Sequence, residues 1–212
     1  MSLARILLTA ILLCGLGATH DAAALPFEET VVSETIIDSP KDYAHTPWAE
    51  LKIPSGTKLI ARKSQNGSIL YTLKYPVGVT MEQTEYGFLN LDTTGGGAVL
   101  CLWEITSILN VYIDKCHPEE LKIRDYLDRT IEKLKIFIIA NSLRSLSGDR
   151  VSRADLDAAL QRKRDELPAE CTGPYEDFAQ ILLRQKSDVE KMDRDVDESL
   201  AVPRPPVTAP CL

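Results

Sequence analysis

Residues 93–97 read Thr93-Thr94-Gly95-Gly96-Gly97 and stand directly before a long apolar run. Successive glycines leave backbone N–H groups uncovered, and a helix starting there adds partial positive charge, so the segment suits a small anion such as phosphate, sulfate or carboxylate. It lacks the Gly-Lys-Ser/Thr ending of a P-loop and the spacing of G-x-G-x-x-G. The same residues also read as a plain strand-to-helix connection with Asp92 or Thr94 as its cap, and this is the reading the sequence favours.

Nucleophilic catalysis needs a base beside its nucleophile. Beyond residue 24 the only histidines are His45 and His117. His117 adjoins Cys116, but neighbours along a chain do not have the geometry that deprotonates a thiol, and a bonded Cys116 is inert. Neither histidine lies in H-E-x-x-H, and no two cysteines show the C-x-x-C spacing of a redox or zinc motif. Asp193, Asp195 and Asp197 alternate like the start of a calcium loop, but Glu198 stands where glycine is required and Arg204 where the closing glutamate belongs. Interleaved with Lys186, Lys191 and Arg194, these acids read as a solvated helix face. Glu104 interrupts an apolar stretch and needs water, a lysine or an arginine; its combination with Asp114 as a carboxylate pair rests on no visible convergence. No catalytic residue, metal site or cofactor is expected.

The ends say where such a chain works. Arg5, the apolar run from Ile6 to Gly17 and the small residues Ala22-Ala23-Ala24 form a signal peptide over 1–24, with the cut after Ala24. Leu13 before Cys14 disfavours a lipid anchor. The apolar run is too short to span a bilayer, and no other stretch approaches the necessary length. The 212 residues carry a net charge of −7, which repels phosphate backbones and argues against nucleic-acid binding. Four of the five cysteines, Cys101, Cys116, Cys171 and Cys211, lie beyond the signal, an even number that outside the cytoplasm reads as two disulfides. Asn66-Gly67-Ser68 is a glycosylation sequon usable only in a eukaryotic secretory pathway, and a turn explains it equally well.

The elements follow from periodicity. Residues 25–56, with prolines at 26, 40, 47 and 54, read as an extended arm holding at most a short strand near Thr30–Ile37. A small antiparallel β segment occupies 57–91: Asn66-Gly67 between two alternating runs marks a hairpin, and a strand near Glu85–Leu89 completes a meander. In outline, residues 53–91 resemble bacterial SH3-like barrels, with short strands and glycine or basic residues at the turns; no residue or role carries over from that likeness.

A helical bundle fills 92–200. Its first helix, 97–115, is apolar nearly all round and therefore buried. The second runs from Pro118 to about Ser147 on the stripe Ile123, Leu127, Ile131, Leu134, Ile138, and Gly148 ends it. Ser152 and Asp155 open the third, which Pro168 stops. The fourth, 174–199, carries the heptad seam Phe178, Leu182, Gln185, Val189, Met192, Val196; this seam either lies along the other helices, the favoured reading, or serves a homo-oligomer. The Pro-rich tail 201–212 is tethered by Cys211.

Antiparallel packing of consecutive helices brings Cys116 and Cys171 to one end and Cys101 and Cys211 to the other, so the expected bonds are Cys116–Cys171 and Cys101–Cys211. Cys101–Cys116 would have to close about 22 Å along one helix and is excluded. The fold class is α+β and helix-rich: a β-hairpin or meander followed by a disulfide-tied four-helix bundle. The functional expectation is an exported, non-enzymatic protein, periplasmic or secreted, that binds another protein through the bundle surface or the hairpin. Two alternatives stand beside it: an enzyme or receptor for a small anionic ligand at 93–97, and an oligomerising envelope-associated structural factor.

Overall fold

The structure, a computed structural model, describes residues 30–145, 148, 150–168 and 170–210. The signal peptide expected over 1–24 and the cysteine at 211 lie outside the described residues. The fold is α+β and helix-rich. Five strands, β1 (Thr30–Ile36), β2 (Lys58–Lys63), β3 (Ile69–Lys74), β4 (Val79–Thr84) and β5 (Gly87–Asp92), form an antiparallel meander in the order β1-β2-β3-β4-β5. Five helices follow: α1 (Val99–Cys116), α2 (Leu121–Asn141), α3 (Arg153–Glu166), α4 (Pro174–Arg184) and α5 (Val189–Leu200). The sheet is open, with β1 and β5 as its edges, so the SH3-like outline is not closed into a barrel by strand pairing.

The β2–β3 hairpin turns on Asn66-Gly67, where Gly67 has φ +87° and the Asn66 side-chain oxygen accepts from Ser68 N–H at 2.9 Å. Leu59 faces Leu73 across the pair, and both point into the core. In place of one strand near 85–89 there are two, β4 and β5, reversing at Glu85-Tyr86. The polar alternation of β4, Val-Thr-Met-Glu-Gln-Thr, hides a strand whose inner face is only partly buried.

The extended arm expected over 25–56 is, from residue 30 onward, part of the folded body. β1 pairs with β2 on both sides of a bulge between Val31 and Ser33, and Ile37, Tyr43, Trp48 and Ile53 are buried against Leu59, Leu73 and Val79. After β1 the segment forms only a 3-10 turn at Pro40–Asp42, but an irregular segment can bury isolated large side chains without any repeat. Tyr43 shows how its polar atom is accommodated, its hydroxyl donating to Leu51 C=O at 2.8 Å.

α1 is the axis of the molecule. Its first turns pack under the sheet through Ala98, Cys101 and Ile105, and its last turns, Leu109, Tyr112 and Ile113, meet Ile123 and Leu127 of α2 with Ala179 and Leu182 of α4. Val99 and Trp103 lie with Phe137 and Ile138 of α2 and Leu156 of α3. Ser152 caps α3 as a capping box: its hydroxyl accepts from Asp155 N–H, and its own N–H donates to the Asp155 carboxylate.

α2 stops at Asn141, short of the expected Ser147, because the chain beyond it is taken up by the early segment. Lys52 N–H donates to Arg144 C=O at 2.8 Å, and Leu51 bridges Ser145. The single helix expected over 174–199 is broken into α4 and α5 by a 3-10 turn at Lys186–Asp188. Leu182, Val189, Met192 and Val196 of the heptad seam are all buried within this chain. Phe178 of the same seam is partly buried, so these side chains lie along the other helices of this chain.

Cys116 is bonded to Cys171 with the Cα atoms 5.5 Å apart, tying the end of α1 to the segment before α4. Cys101 is also disulfide-bonded. The tail is an ordered strap: Leu100 N–H donates to Val207 C=O at 3.0 Å, and Ala209 runs parallel to Leu91, joined to Asn90 and Asp92 by backbone hydrogen bonds. Among the described residues no helix is long and apolar enough to cross a membrane.

Candidate binding site

The strap and the glycine loop enclose a cavity of about 520 Å³, within the size range of small-molecule sites. Its walls are the loop Thr94–Ala98, the first turns of α1 (Cys101, Leu102, Ile105), one face of α5 (Met192, Asp195, Val196, Glu198, Ser199), and Val202, Arg204 and Pro210 of the strap.

Arg204 organises this region. It is 2% exposed, in a tail with no other charge. Its Nε donates to the buried carboxylate of Asp92; Nη1 donates to the carbonyls of Ser199 (2.9 Å) and Val202 (3.0 Å), and Nη2 to that of Gly97 (2.9 Å). The Phe137 ring lies 5.3 Å from its Cζ. A guanidinium so fully engaged offers no free charge to a ligand. Gly96 is pressed against it, since a Cβ there would lie 2.7 Å from Ser199 C=O and closer still to the guanidinium.

Residues 94–97 of the expected anion nest line the cavity, but much of the donor capacity of the nest is used internally. Thr93 N–H donates to Gly78 C=O, Thr94 N–H to Asp92, and Gly96 N–H to the Thr94 hydroxyl. Neither Asp92 nor Thr94 caps α1: the N-cap is Ala98, and Asp92 instead accepts from Thr94 and from Arg204. Gly95 and Gly97 take positive φ, and a Cβ at either would meet nothing within 4 Å.

The remaining candidates are built into structural pairs. Glu104 pairs with Lys163, whose Nζ lies 5.9 Å from the centre of the Trp103 ring, so this odd carboxylate joins α1 to α3. Lys133 of α2 bridges Asp193 (2.9 Å) and Asp197 (2.7 Å), and Asp195 accepts from Lys191. Among the described residues no cluster of histidine, cysteine and acidic side chains is placed to hold a metal ion. Asp114 pairs with Arg124, not with Glu104.

His117 is braced. Its Nε2 lies 2.9 Å from Glu176 Oε2, the same oxygen that accepts from the Tyr112 hydroxyl at 3.0 Å. Hydrogen bonds from Gln180, then His117 and Tyr112, hold the Glu176 carboxyl below its ordinary pKa. Burial, and after it the Glu176 contact, pushes the Tyr112 phenol up to about 12. The cluster clamps α1 to the start of α4 beside the Cys116–Cys171 bond. His45 stands apart, edge-on to Tyr71 at 5.5 Å.

Sequence reasoning missed Arg204 and Lys135. Lys135 is 5% exposed on the buried side of α2 and pairs with Glu132 and Asp157. The signal for Arg204 was a lone base among four prolines. It also missed the hairpin tip, where Tyr86 is 97%, Phe88 59% and Leu89 40% exposed. No family model, curated protein or solved structure matches this chain.

Proposed function

We propose that the protein is an exported, non-enzymatic interaction protein that docks another protein on the tip of its β4–β5 hairpin. The observation that carries this reading is the run Tyr86, Phe88 and Leu89, three exposed large apolar side chains within four residues, with the Phe88 ring tilted against Trp48 at 6.0 Å. Aromatic side chains so placed are characteristic anchors of protein interfaces, where they bury much area for little lost rotamer freedom. The disulfide chemistry at Cys116–Cys171 and Cys101 supports an oxidising compartment, and with it the export signal at 1–24.

A photo-crosslinking amino acid at position 86, in the natural host, is expected to capture one discrete protein adduct. The same probe at Ile136, 61% exposed on the bundle, serves as the comparison. Adducts from 136 but none from 86 would move the interface to the bundle, and none from either would refute the reading.

A further inference from the structure

The cavity beside the glycine loop carries a ligand chemistry opposite to the one its glycines advertise. Ala98, Leu102, Ile105, Met192, Val196 and Val202 make its walls apolar. The charges around it are Arg204 and Lys191 against Asp92, Asp195 and Glu198, two cations to three carboxylates, for a net of −1. Arg204 is cancelled by Asp92, and Lys191 lies against Asp195. Among the described residues the Glu198 carboxylate has no ion-pair or hydrogen-bond partner, and Glu198 lines the cavity one turn from Asp195 on the same helix face. Both sit in the last turns of α5, where the helix dipole also favours a cation.

The geometry points to a binding site for a small cationic amphiphile: a monovalent ammonium group held at Glu198, beside the Lys191–Asp195 pair, with a short hydrocarbon body against Leu102, Ile105, Met192 and Val196. The Met192 side chain is flexible enough to follow the shape of such a body. An anion entering the same space meets the unpaired Glu198 carboxylate, an occupied guanidinium, and loop N–H groups at 93, 94 and 96 that already donate elsewhere. This inference is independent of the hairpin proposal, because the cavity and the hairpin tip share no residue.

The test is a titration of the isotope-labelled full-length protein with hexyltrimethylammonium chloride, followed by amide chemical shifts, with hexanol, sodium hexanoate and inorganic phosphate as comparison probes. The ammonium is expected to shift the Gly95 and Gly97 amides saturably and to bind more tightly than the other three. Glu198→Gln is expected to weaken it about fivefold while hexanol binding stays unchanged. Val202→Trp, placed at a half-exposed wall position, is expected to abolish binding with the rest of the spectrum intact. Hexanol binding as tightly as the ammonium would overturn the charge assignment. Tighter binding of hexanoate or phosphate would restore the anion nest, and no saturable shift with any probe would remove the site.

Discussion

Arg204 and Glu104 are both charged residues in apolar surroundings, and their surroundings set different costs for losing the partner. With Asp92 and Arg204 essentially inaccessible, Arg204→Met leaves a carboxylate buried without compensation, and a loss of about 3–5 kcal/mol is expected in urea unfolding. The Glu104 side chain is half exposed, so Lys163→Met removes a pair that water screens and is expected to cost under about 1 kcal/mol. Gly96→Ala forces a methyl group against Arg204 and Ser199 C=O and is expected to cost about 1–3 kcal/mol by the same measurement. A pH series addresses Glu176. Its carboxyl titrates below the ordinary 4.5, so the stability it contributes is complete above the unfolded-state value and is lost as the pH falls through the lower folded value. Glu176→Gln is expected to flatten that part of the acid limb, read as melting temperature against pH. Glu104 shows what the sequence makes legible at this scale: a charge on an apolar helix demands a partner. Arg204 shows what it does not, since its partner is 112 positions away and nothing local points to it.

The helices divide by how much of their definition is local. Ser152 and Asp155 specify where α3 begins because the capping box closes within four residues, and sequence and structure agree there. The hairpin at Asn66-Gly67 is legible for the same reason. The end of α2 and the break between α4 and α5 were not, because they answer to tertiary pairing: Leu51 meets Ser145 at one, and burial of Leu182 and Val189 across a turn shapes the other. At this scale the Cys116–Cys171 bond joins elements separated by 55 positions. Replacing both cysteines by serine is expected to lower stability by up to about 4 kcal/mol, measured by denaturant unfolding against the oxidised parent. The topology that pairs them was readable from short connections and antiparallel helices alone.

For the whole molecule, the sheet and the bundle are joined by α1 below and by the strap at one edge. β1 leaves its edge open, while β5 is covered by Ala209. The core under the sheet draws on the early segment, the strands, the start of α1 and the strap, from Ile37 through Ala98 to Val207. This is why a reading by segments assigned 25–56 and 201–212 to the periphery. Apolar periodicity detects elements that repeat, and these two stretches contribute single side chains to a core organised by others. The candidate site was half visible for the same reason: the glycine loop announced itself, whereas the opposite wall, made by α5 and the strap, sets the electrostatics.

The strap also gives the molecule an order of assembly. Asp92 ends β5, yet the guanidinium that neutralises it lies 112 positions further along the chain, on the same strap whose Ala209 bridges to Leu91. Closing the sheet onto α1 before the strap docks would bury a bare carboxylate, so docking of Arg204 and closure of the sheet are coupled through one charge pair. A chain ending at residue 201 is expected to stay protease-sensitive throughout the sheet while its helices form, and Asp92→Asn is expected to let the shorter chain close early. The strap thus works as a latch, holding the sheet shut from a segment that belongs to none of its strands.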